Sequence, residues 1–266
     1  MYWKKASSEE IKTILISILE EVNSFCEEKG ISYYLFAGTL LGAVRHHGFI
    51  PWDDDVDICM RRNEYERFIR EYKGKTTSIT GIDKDSKYCY PFAKVLKENT
   101  RVTEKCNYAT NIGIYVDVFP IDNIPNEDNA QRKYIKTVNL YRNLLSETVY
   151  FSSYSAVQKI KAAFHLIIHG LGGRYYYAKR LNEVASQYKD NCTGLCGNMI
   201  WGQGILKEAV SCSVFNCTTR LMFEGKEFPV PMGYELWLSK RYGNYMKIPP
   251  LSEQMGHGND MFIGRE

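Results

Sequence analysis

The sequence predicts an α+β fold in which helices flank the two faces of a mixed sheet. Three observations lead to this prediction. The chain begins with a long amphipathic helical pattern and then alternates short apolar runs with helical segments. Its middle, from about Glu127 to Asn191, follows helical periodicity almost throughout. Its last part returns to a hairpin pattern and a short helix, so we expect a sheet core with a helical middle region.

The first helix is predicted between Ser7 and Gly30. Ser7 and Glu10 form a capping box, apolar residues follow at helical spacing, and Gly30 is a typical C-cap. The run ISYYLFAG that follows predicts a short buried strand ending at Gly38.

Shorter elements alternate after this strand. A short helix is predicted over 39–48, a strand over 56–60, and then a helix capped by Asn63. Two further strands are predicted over 90–97 and 112–122, the second apolar apart from one aspartate.

The helical middle and the tail complete the prediction. The helical pattern breaks at 152–155 and at 169–173, where serines and glycines cluster. RLMFEGKEFPVP predicts a hairpin that turns at Glu224-Gly225-Lys226, and GYELWLSKRYG predicts a helix ended by Gly243.

Composition excludes several classes of protein. With 44% hydrophobic and 24% charged residues among 266, the chain has the composition of a globular domain. Its net charge of +3 is too small to indicate a nucleic-acid partner, although it suits a phosphate-bearing substrate. There is no apolar run of ~18 residues to span a membrane, and MYWKKASSEEIK lacks the apolar core of an export signal. We therefore expect a cytoplasmic protein.

Eight cysteines are scattered along the chain without a CxxC motif, as is typical of reduced thiols. The exception is a loose group formed by Cys192, Cys196, Cys212 and Cys217. This group could bind zinc, but its spacings are irregular and no histidine lies near it. Buried or surface thiols are the favoured interpretation.

The run IPWDDDVDI, residues 50–58, places four aspartates within five positions. Because side chains alternate along a strand, Asp55 and Asp57 point to one face. Asp53 joins them if the extended register continues backwards, and Asp54 is left to solvent. Two carboxylates on one face can share divalent cations such as Mg²⁺. A solvated acidic turn is the alternative, but it does not explain why the charges run into an apolar strand.

Two features accompany this acidic run. Gly38 and Thr39 stand at a predicted helix N-terminus, where backbone amides form a natural phosphate site. Asp117 lies inside an apolar strand, where a metal site would supply the partner that a buried carboxylate needs. Two aspartates on one strand, a third on another and a phosphate site form the plan of the nucleotidyltransferase (polymerase-β-like) fold.

The run AGTLLGAVRHHGFIPWDDDVDICMRRNEYERF resembles the signature of the LicD family of phosphotransferases, which is related to the fukutin group. YPFAKVLKENT, IYVDVFPID and FEGKEFPVPMGYELWLSKRYGNYMKIPPLSEQMGH are similar to the family as well. The resemblance implies transfer of a phospho-alcohol, such as phosphocholine, from a CDP-linked alcohol. The acceptor would be a hydroxyl of a cell-surface glycan, a teichoic-acid or lipopolysaccharide precursor, or a lipid-linked glycan, and CMP would leave.

The resemblance also implies roles for single residues. The Gly-Thr pair at 38–39 would hold the diphosphate. Asp55 and Asp57 would be catalytic and would bind Mg²⁺ or Mn²⁺, two ions in all, with Asp53 as a further ligand. Asp117 would complete the second metal position or accept the proton of the attacking hydroxyl.

Four more side chains are expected to bind substrate. Arg45, Lys94 and Arg101 would lie near diphosphate oxygens, and Lys94 is the strongest candidate because it interrupts an apolar strand. His257, at the end of the last family-like block, would reach the site. The alternatives are that Arg45 is a surface residue and that Lys94 points to solvent from an edge strand.

Three segments are expected. Residues 1–126 would form the catalytic core, 127–205 a helical insertion on the acceptor side, and 206–266 a C-terminal part that packs back on the core, unless all three form one domain. VQKIKAAFHLIIHG and GGRYYYAKRL in the insertion would suit peripheral contact with the inner face of a membrane that carries a lipid-linked acceptor. Ordinary packing of these helices on the catalytic layer is the favoured alternative.

Two other functions fit the same residues. The same fold could transfer a nucleotidyl group from a nucleoside triphosphate to a hydroxyl. Alternatively, the chain could be a non-catalytic module that binds metal or glycan, although the spacing of an EF-hand is absent from 53–64. The sequence identifies neither the alcohol, nor the acceptor, nor the oligomeric state.

Overall fold

The computed structural model describes residues 2–103, 112–191, 193–202, 204–256 and 258–265. The helices are α1 (Ser8–Lys29), α2 (Ala37–Arg45), α3 (Arg62–Glu71), α4 (Asp128–Tyr150), α5 (Ala156–His169), α6 (Arg174–Ala185), α7 (Ile205–Glu208) and α8 (Tyr234–Tyr242). The strands are β1 (Tyr2–Lys5), β2 (Tyr34–Leu35), β3 (Asp57–Arg61), β4 (Thr77–Thr80), β5 (Ala93–Lys97), β6 (Thr100–Thr103), β7 (Tyr115–Ile124), β8 (Leu195–Gly197), β9 (Val210–Ser211), β10 (Thr218–Phe223), β11 (Lys226–Pro231) and β12 (Asp260–Arg265). The predicted α+β class is confirmed.

The central sheet is mixed, with strand order β2-β3-β7-β5-β4, and β8 and β9 extend it beyond the end of β7. β3 and β7 pair in parallel, whereas β5 runs antiparallel to β7. A parallel pair needs a long crossover connection, and here it contains α3 and the strands β4, β5 and β6. From Val118 to Ile124, β7 is buried on both faces, so it forms the centre of the sheet.

Two smaller sheets lie beside the central one. β12 pairs with β1 on one side and β6 on the other, and β10 and β11 form a hairpin. α1 packs on β5 and β7, burying residues spaced as on one helical face: Leu15, Ile18, Leu19, Val22 and Cys26. α4 and α6 pack against each other, and α5 follows α4 at the periphery.

Local sequence signals account for several element ends. The predicted capping box is confirmed, since Ser7 accepts a hydrogen bond from the Glu10 backbone N–H and the Glu10 carboxylate accepts one from Ser7. Gly30 ends α1 with a left-handed φ of 61°. In the predicted hairpin, Glu224 and Gly225 both have positive φ, 52° and 76°, as a tight two-residue turn requires.

Two predicted helix starts are wrong. α2 begins at Ala37 rather than at Thr39, because the backbone turns into the helix immediately after β2. Asn63 is not the N-cap of α3, because β3 runs directly into the helix at Arg62 and no side chain caps it. The strand predicted for ISYYLFAG is hydrogen-bonded to the sheet over Tyr34–Leu35 alone.

The predicted division at 126 and 205 stays a prediction, and the strand pairings link its three segments. β8, from the second segment, pairs with β7 of the first, and β12, from the third, pairs with β1 and β6. Across the residues that the structure describes, none of the helices combines the length and the apolar character that crossing a membrane would need.

One buried guanidinium connects three elements of the core. Arg62 of α3 donates from Nε and Nη2 to both carboxylate oxygens of Asp122 of β7, at 2.6 and 2.7 Å. Its Nη1 donates to Asn182 of α6 at 2.8 Å. Both charged side chains are almost completely buried, 3% and 0% exposed, so neither has water as an alternative partner.

Replacing one partner of this pair should be costly. In Asp122→Asn the Arg62 charge stays buried without a carboxylate, and we expect the free energy of unfolding to fall by about 3–5 kcal/mol in urea denaturation. Arg220→Gln is the control, because its ion pair with Glu27 is largely exposed and should contribute less than about 1 kcal/mol. Equal losses in the two variants would contradict the connecting role of Arg62.

Candidate active site

A cavity of about 880 Å³ lies where α2, β3, β7, α4 and α8 meet. Its volume suits a small-molecule substrate. Aromatic rings form much of its wall, and backbone of the first residues of α2 reaches it. The charged residues in its lining are Asp53, Asp54, Asp55, Asp57, Lys94, Asp117, Arg142, Glu208 and Arg241.

Asp57, Asp117 and Lys94 lie in one row across three neighbouring strands. Asp57 of β3 is the register partner of Asp117 of β7, and Asp117 is in turn the register partner of Lys94 of β5. Side chains in register on adjacent strands point to the same face of a sheet. The row therefore brings together, at one wall of the cavity, three residues that are 60 positions apart at most in the sequence.

The Lys94 ammonium is held by a carboxylate and by aromatic rings. Its Nζ donates to Oδ1 of Asp117 at 2.6 Å and lies 3.4 Å from the ring centroid of Tyr115. The rings of Tyr90 and Phe92 are 4.5 and 5.2 Å away. Such faces attract a cation, which offsets part of the cost of burying Lys94 at 1% exposure. The alternative that Lys94 points to solvent from an edge strand is wrong, because β5 lies between β4 and β7.

The start of α2 brings backbone groups into the cavity. Its N-cap residue, Phe36, provides no side-chain cap, and Ala37 has a left-handed φ of 44°, which is strained for a residue other than glycine. A Cβ at Gly38 would lie 2.6 Å from Oδ2 of Asp53, so only glycine allows this carboxylate to approach. The positive end of the helix dipole stabilises the Asp53 charge there.

Thr39 acts on Asp57 in this structure. Its hydroxyl accepts a hydrogen bond from the Asp57 backbone N–H at 2.8 Å, and its side chain is 3% exposed. Thr39 is not part of the cavity lining. The Thr39 side chain thus fixes the first residue of β3, and the predicted binding of a diphosphate at the Gly38-Thr39 backbone stays a prediction.

Two predicted substrate-binding arginines lie away from the cavity lining. Arg45 donates from Nη1 to the carbonyl of Tyr245 at 2.8 Å and from Nε to His46, so it holds the segment after α8. Arg101 is exposed on β6, opposite Phe262 of β12. The predicted residue His257 lies outside the described residues.

Asp54 differs from its prediction. It was expected to be left to solvent, but it is half-buried and lines the cavity. Its Oδ2 accepts a hydrogen bond from the backbone N–H of Gly258 at 3.2 Å. Gly256 lies against the Trp52 carbonyl, where a Cβ would come within 2.6 Å. The prediction is wrong because the segment after α8 folds over this side of the acidic turn.

The aspartates repel one another strongly. Burial, followed by the charges of Asp55, Asp117 and Asp53, raises the pKa of Asp57 well above its ordinary value, and Lys94 opposes this shift. A cation would relieve the repulsion, and carboxylate oxygens are the ligands that Mg²⁺ prefers. Within the described ranges, no three Asp, Glu, His or Cys side chains are already gathered into a set that could hold an ion. The aspartates of the cavity are the kind of ligand that a divalent cation prefers. To bind one ion together, their carboxylates would have to move closer to each other.

Three charged residues of the cavity are absent from the sequence-based predictions. Arg241 of α8 contacts Glu208 through Nε and Oε1 at 3.1 Å, and Arg142 of α4 donates to the carbonyl of Gly202. Burial raises the pKa of Glu208 to about 7, against the opposing effect of the Arg241 and Arg142 charges. Nη1 of Arg142 and Oε2 of Glu208 are buried without a hydrogen-bond partner among the described residues.

A sequence signal for the Arg142 position exists. Buried residues of α4 follow the spacing 134, 138, 145 and 149, and Arg142 falls on this apolar stripe, four residues after Val138 and three before Leu145. Arg241 likewise follows Trp237 and Leu238, the buried residues of α8, by four and three positions. A charge on an apolar stripe must find a buried partner or a ligand.

The cysteine group shows no gathered metal site in the part of the chain that the structure describes. Cys196 is buried, Cys212 is half-buried and Cys217 is exposed, all as free thiols, and Cys192 lies outside the described residues. A hydrogen bond from Cys196 and the nearby Arg61 guanidinium lower the pKa of Cys212 to about 6.

Comparison with known proteins identifies relatives along the whole chain. A family model described as "LicD/FKTN/FKRP, nucleotidyltransferase domain" matches residues 30–148, which include the acidic run, Lys94, Asp117 and Arg142. The "Lipopolysaccharide cholinephosphotransferase LicD" of Haemophilus influenzae is 30% identical over 262 residues, 96% of this chain and 97% of that protein. The "Ribitol 5-phosphate transferase FKRP" of Mus musculus is 30% identical over 102 residues, 35% of this chain and 17% of that protein. Its counterpart from Homo sapiens is 56% identical over 32 residues, 12% of this chain and 6% of that protein.

The link between Thr39 and Asp57 can be tested by stability. Thr39→Val keeps the shape of the side chain but leaves the Asp57 N–H without its acceptor, so we expect the free energy of unfolding to fall by about 1–3 kcal/mol in urea. Thr39→Ser keeps the acceptor and should lose about 1 kcal/mol or less, for the missing methyl group. A valine variant as stable as the serine variant would contradict the proposed anchor.

Proposed function

Because this chain belongs to the LicD family, we propose that it transfers a phospho-alcohol from a CDP-linked alcohol to a hydroxyl group of a glycan and releases CMP. The relative that aligns along 97% of its length is a cholinephosphotransferase of lipopolysaccharide, and the FKRP relatives are ribitol 5-phosphate transferases. The observation that carries the proposal is the row of Asp57, Asp117 and Lys94 at one wall of the cavity. We further propose that the mixed sheet has the nucleotidyltransferase (polymerase-β-like) topology.

The carboxylates would hold the metal that this reaction requires. In this proposal Asp55 and Asp57 hold Mg²⁺ or Mn²⁺, and Asp53 and Asp117 complete the ligands of two ions. The metal, when bound, neutralises charge on the diphosphate and favours ionisation of the acceptor hydroxyl. The crowding that raises the Asp57 pKa supports this assignment, since a cation removes its cause.

Cations of the chain would bind the diphosphate directly. Lys94 stands in the carboxylate row, and Arg142 and Arg241 line the same cavity. The buried Nη1 of Arg142 lacks an acceptor among the described residues, and an oxygen of the donor diphosphate would supply one. The first turn of α2, at Ala37 and Gly38, also lines the cavity, so its backbone N–H groups would face the same anion, next to Asp53.

The transfer then balances as a single displacement at phosphorus. The acceptor hydroxyl attacks the phosphorus that carries the alcohol, and the bond from that phosphorus to the bridging oxygen of CMP breaks. Asp117 accepts the hydroxyl proton, or this proton passes to solvent if Asp117 serves as a metal ligand. Lys94, hydrogen-bonded to Oδ1 of Asp117, keeps this carboxylate oriented in either role.

Choline is the alcohol that we propose. The support comes from the cholinephosphotransferase that aligns with almost the entire chain. A quaternary ammonium group binds to aromatic faces, and the cavity lining contains Tyr150, Trp201 and Tyr242 in addition to the rings around Lys94. Ribitol, as in the FKRP relatives, is the competing alcohol.

Nucleotidyl transfer is the second candidate function, because the matching family model is described as a nucleotidyltransferase domain. It would move a nucleoside monophosphate from a nucleoside triphosphate to the same acceptor hydroxyl, with pyrophosphate as the leaving group. The mass added to the acceptor separates the two reactions, since phosphocholine and a nucleoside monophosphate differ in mass.

Donor binding should be visible as thermal stabilisation. In a panel of CDP-choline, CDP-ethanolamine, CDP-ribitol and CDP-glycerol with Mg²⁺, we expect CDP-choline to raise the melting temperature most. A donor at a hundred times its Kd contributes about 2.7 kcal/mol, which corresponds to a shift of several degrees. EDTA should remove the shift. A shift that persists in EDTA would contradict metal-assisted binding, and a larger shift with CDP-ribitol would contradict the choline assignment.

Asp57→Asn should separate catalysis from stability. Removal of one carboxylate from the crowded wall should leave the metal-free protein at least as stable as the wild type. Phosphocholine transfer should nevertheless fall by at least about a thousandfold. Mass spectrometry of the acceptor measures the transfer, and urea denaturation measures the stability. Asp190→Asn, an exposed residue outside the cavity lining, is the matched control. Full activity of Asp57→Asn would overturn the proposed function.

A further inference from the structure

The outer face of α5 carries an apolar stripe that is open to solvent. Val157, Ile160, Phe164 and Ile167 are 62%, 71%, 65% and 65% exposed, and Leu171 just beyond the helix is 78% exposed. These positions recur at helical spacing and so share one side of α5. The only buried residue of this helix, which the structure describes throughout, is Ala162. A contiguous apolar stripe of this kind is unusual on a free surface and indicates a partner.

The segment that contains this stripe has a net positive charge. Residues 148–182 contain five Lys and Arg residues and no Asp or Glu. Two carboxylates from outside the segment contact it: Glu147 of α4 hydrogen-bonds His165 of α5, and Glu183 of α6 forms an ion pair with Arg180. The rest of the chain, with 29 basic and 31 acidic residues, is slightly negative, so the excess positive charge of the protein is concentrated here. Lys159 and Lys161 belong to α5 itself, and Arg174 and Lys179 belong to α6. The partner that complements this region is therefore anionic as well as apolar.

The stripe also adjoins the active-site cavity. Tyr150, the last residue of α4, lines that cavity together with Ser152 and Ser153, which lie in the short segment between α4 and α5. Tyr150 and the following Phe151 are 40% and 37% exposed, as suits aromatic rings at a polar–apolar boundary. A surface that covers α5 would thus stand beside the cavity.

We propose that α5 is an interfacial helix that docks this protein on an anionic lipid bilayer. A helix of 14 residues with one apolar face and flanking lysines suits insertion at the boundary of headgroups and acyl chains, with its axis in the plane of the surface. A second copy of the chain is disfavoured as the occupant, because a two-fold interface would bring the same lysine-flanked region against itself. The inference goes beyond the proposed function, because it concerns the position of the protein on a bilayer and not the reaction in its cavity.

Flotation of the full chain with lipid vesicles tests the proposal. We expect binding to vesicles of phosphatidylcholine and phosphatidylglycerol in a 3:1 ratio, and weaker binding to phosphatidylcholine alone. Ile160→Ser/Phe164→Ser/Ile167→Ser should lower the partition coefficient about tenfold per replaced side chain. Lys159→Gln/Lys161→Gln should lower it about fivefold per lysine and should reduce its dependence on salt.

A matched control uses apolar residues outside the stripe. Met222→Ser/Leu251→Ser removes two side chains that are 41% and 84% exposed and should leave flotation unchanged. Urea denaturation should give the same midpoint for the triple variant and the wild type, because the replaced side chains are mostly exposed. The donor-induced thermal shift should also persist in the triple variant, so a failure of docking is distinguishable from a failure of the proposed function.

Three results would overturn the inference. The first is absence of wild-type flotation with the anionic vesicles, and the second is equal flotation of the triple variant. The third is self-association in sedimentation velocity that the triple variant abolishes while vesicles bind neither protein. That last result would identify a second copy of the chain as the occupant of the stripe.

Discussion

The ion pair between Lys94 and Asp117 is the interaction on which the arrangement of the cavity depends. Asp117 belongs to the central strand β7, and a carboxylate so near the middle of a sheet needs a cation. Lys94 supplies it from β5, in register and at 2.6 Å. A slip of one residue between these strands would turn one of the two side chains to the opposite face. The pair therefore fixes the register, and the parallel pairing of β7 with β3 then places Asp57 beside Asp117.

One ammonium group does not balance the carboxylates that surround it. Asp53 has the N-terminus of α2 as its neighbour, but the pKa of Asp57 remains raised by burial and by the other aspartates. Two arginines, Arg142 and Arg241, line the same cavity. Both of their charges act on the nearby carboxylate of Glu208. Separate acidic and basic groups in one cavity are suited to a ligand that carries both signs, such as a diphosphate with its metal. Binding of such a ligand would thus relieve the unfavourable electrostatics of the isolated protein.

Features governed by neighbours in the sequence were predictable. The capping box of α1 and the hairpin turn depend only on nearby positions. The predicted alternation of Asp55 and Asp57 stays a prediction, because β3 begins at Asp57 and Asp55 precedes the strand. Contacts between distant segments were not predictable. Asp54 is covered by Gly258, about two hundred positions later, and the pairing of β1 with β12 joins the two ends of the chain. The buried stripe of α4 did carry a signal for Arg142, but its direction towards the cavity depends on how α4 packs.

The helical middle assigns different tasks to successive helices. α4 directs its stripe inward and brings Arg142 to the cavity, and α6 packs against α4. α5 does the reverse: it buries Ala162 and exposes its larger apolar side chains. Exposed apolar area promotes aggregation unless something covers it, so packing within this chain does not explain the composition of α5. The connection between α4 and α5 lines the cavity. A bilayer bound to α5 would therefore lie next to the cavity. An acceptor attached to that surface would then reach the carboxylates by lateral diffusion in two dimensions.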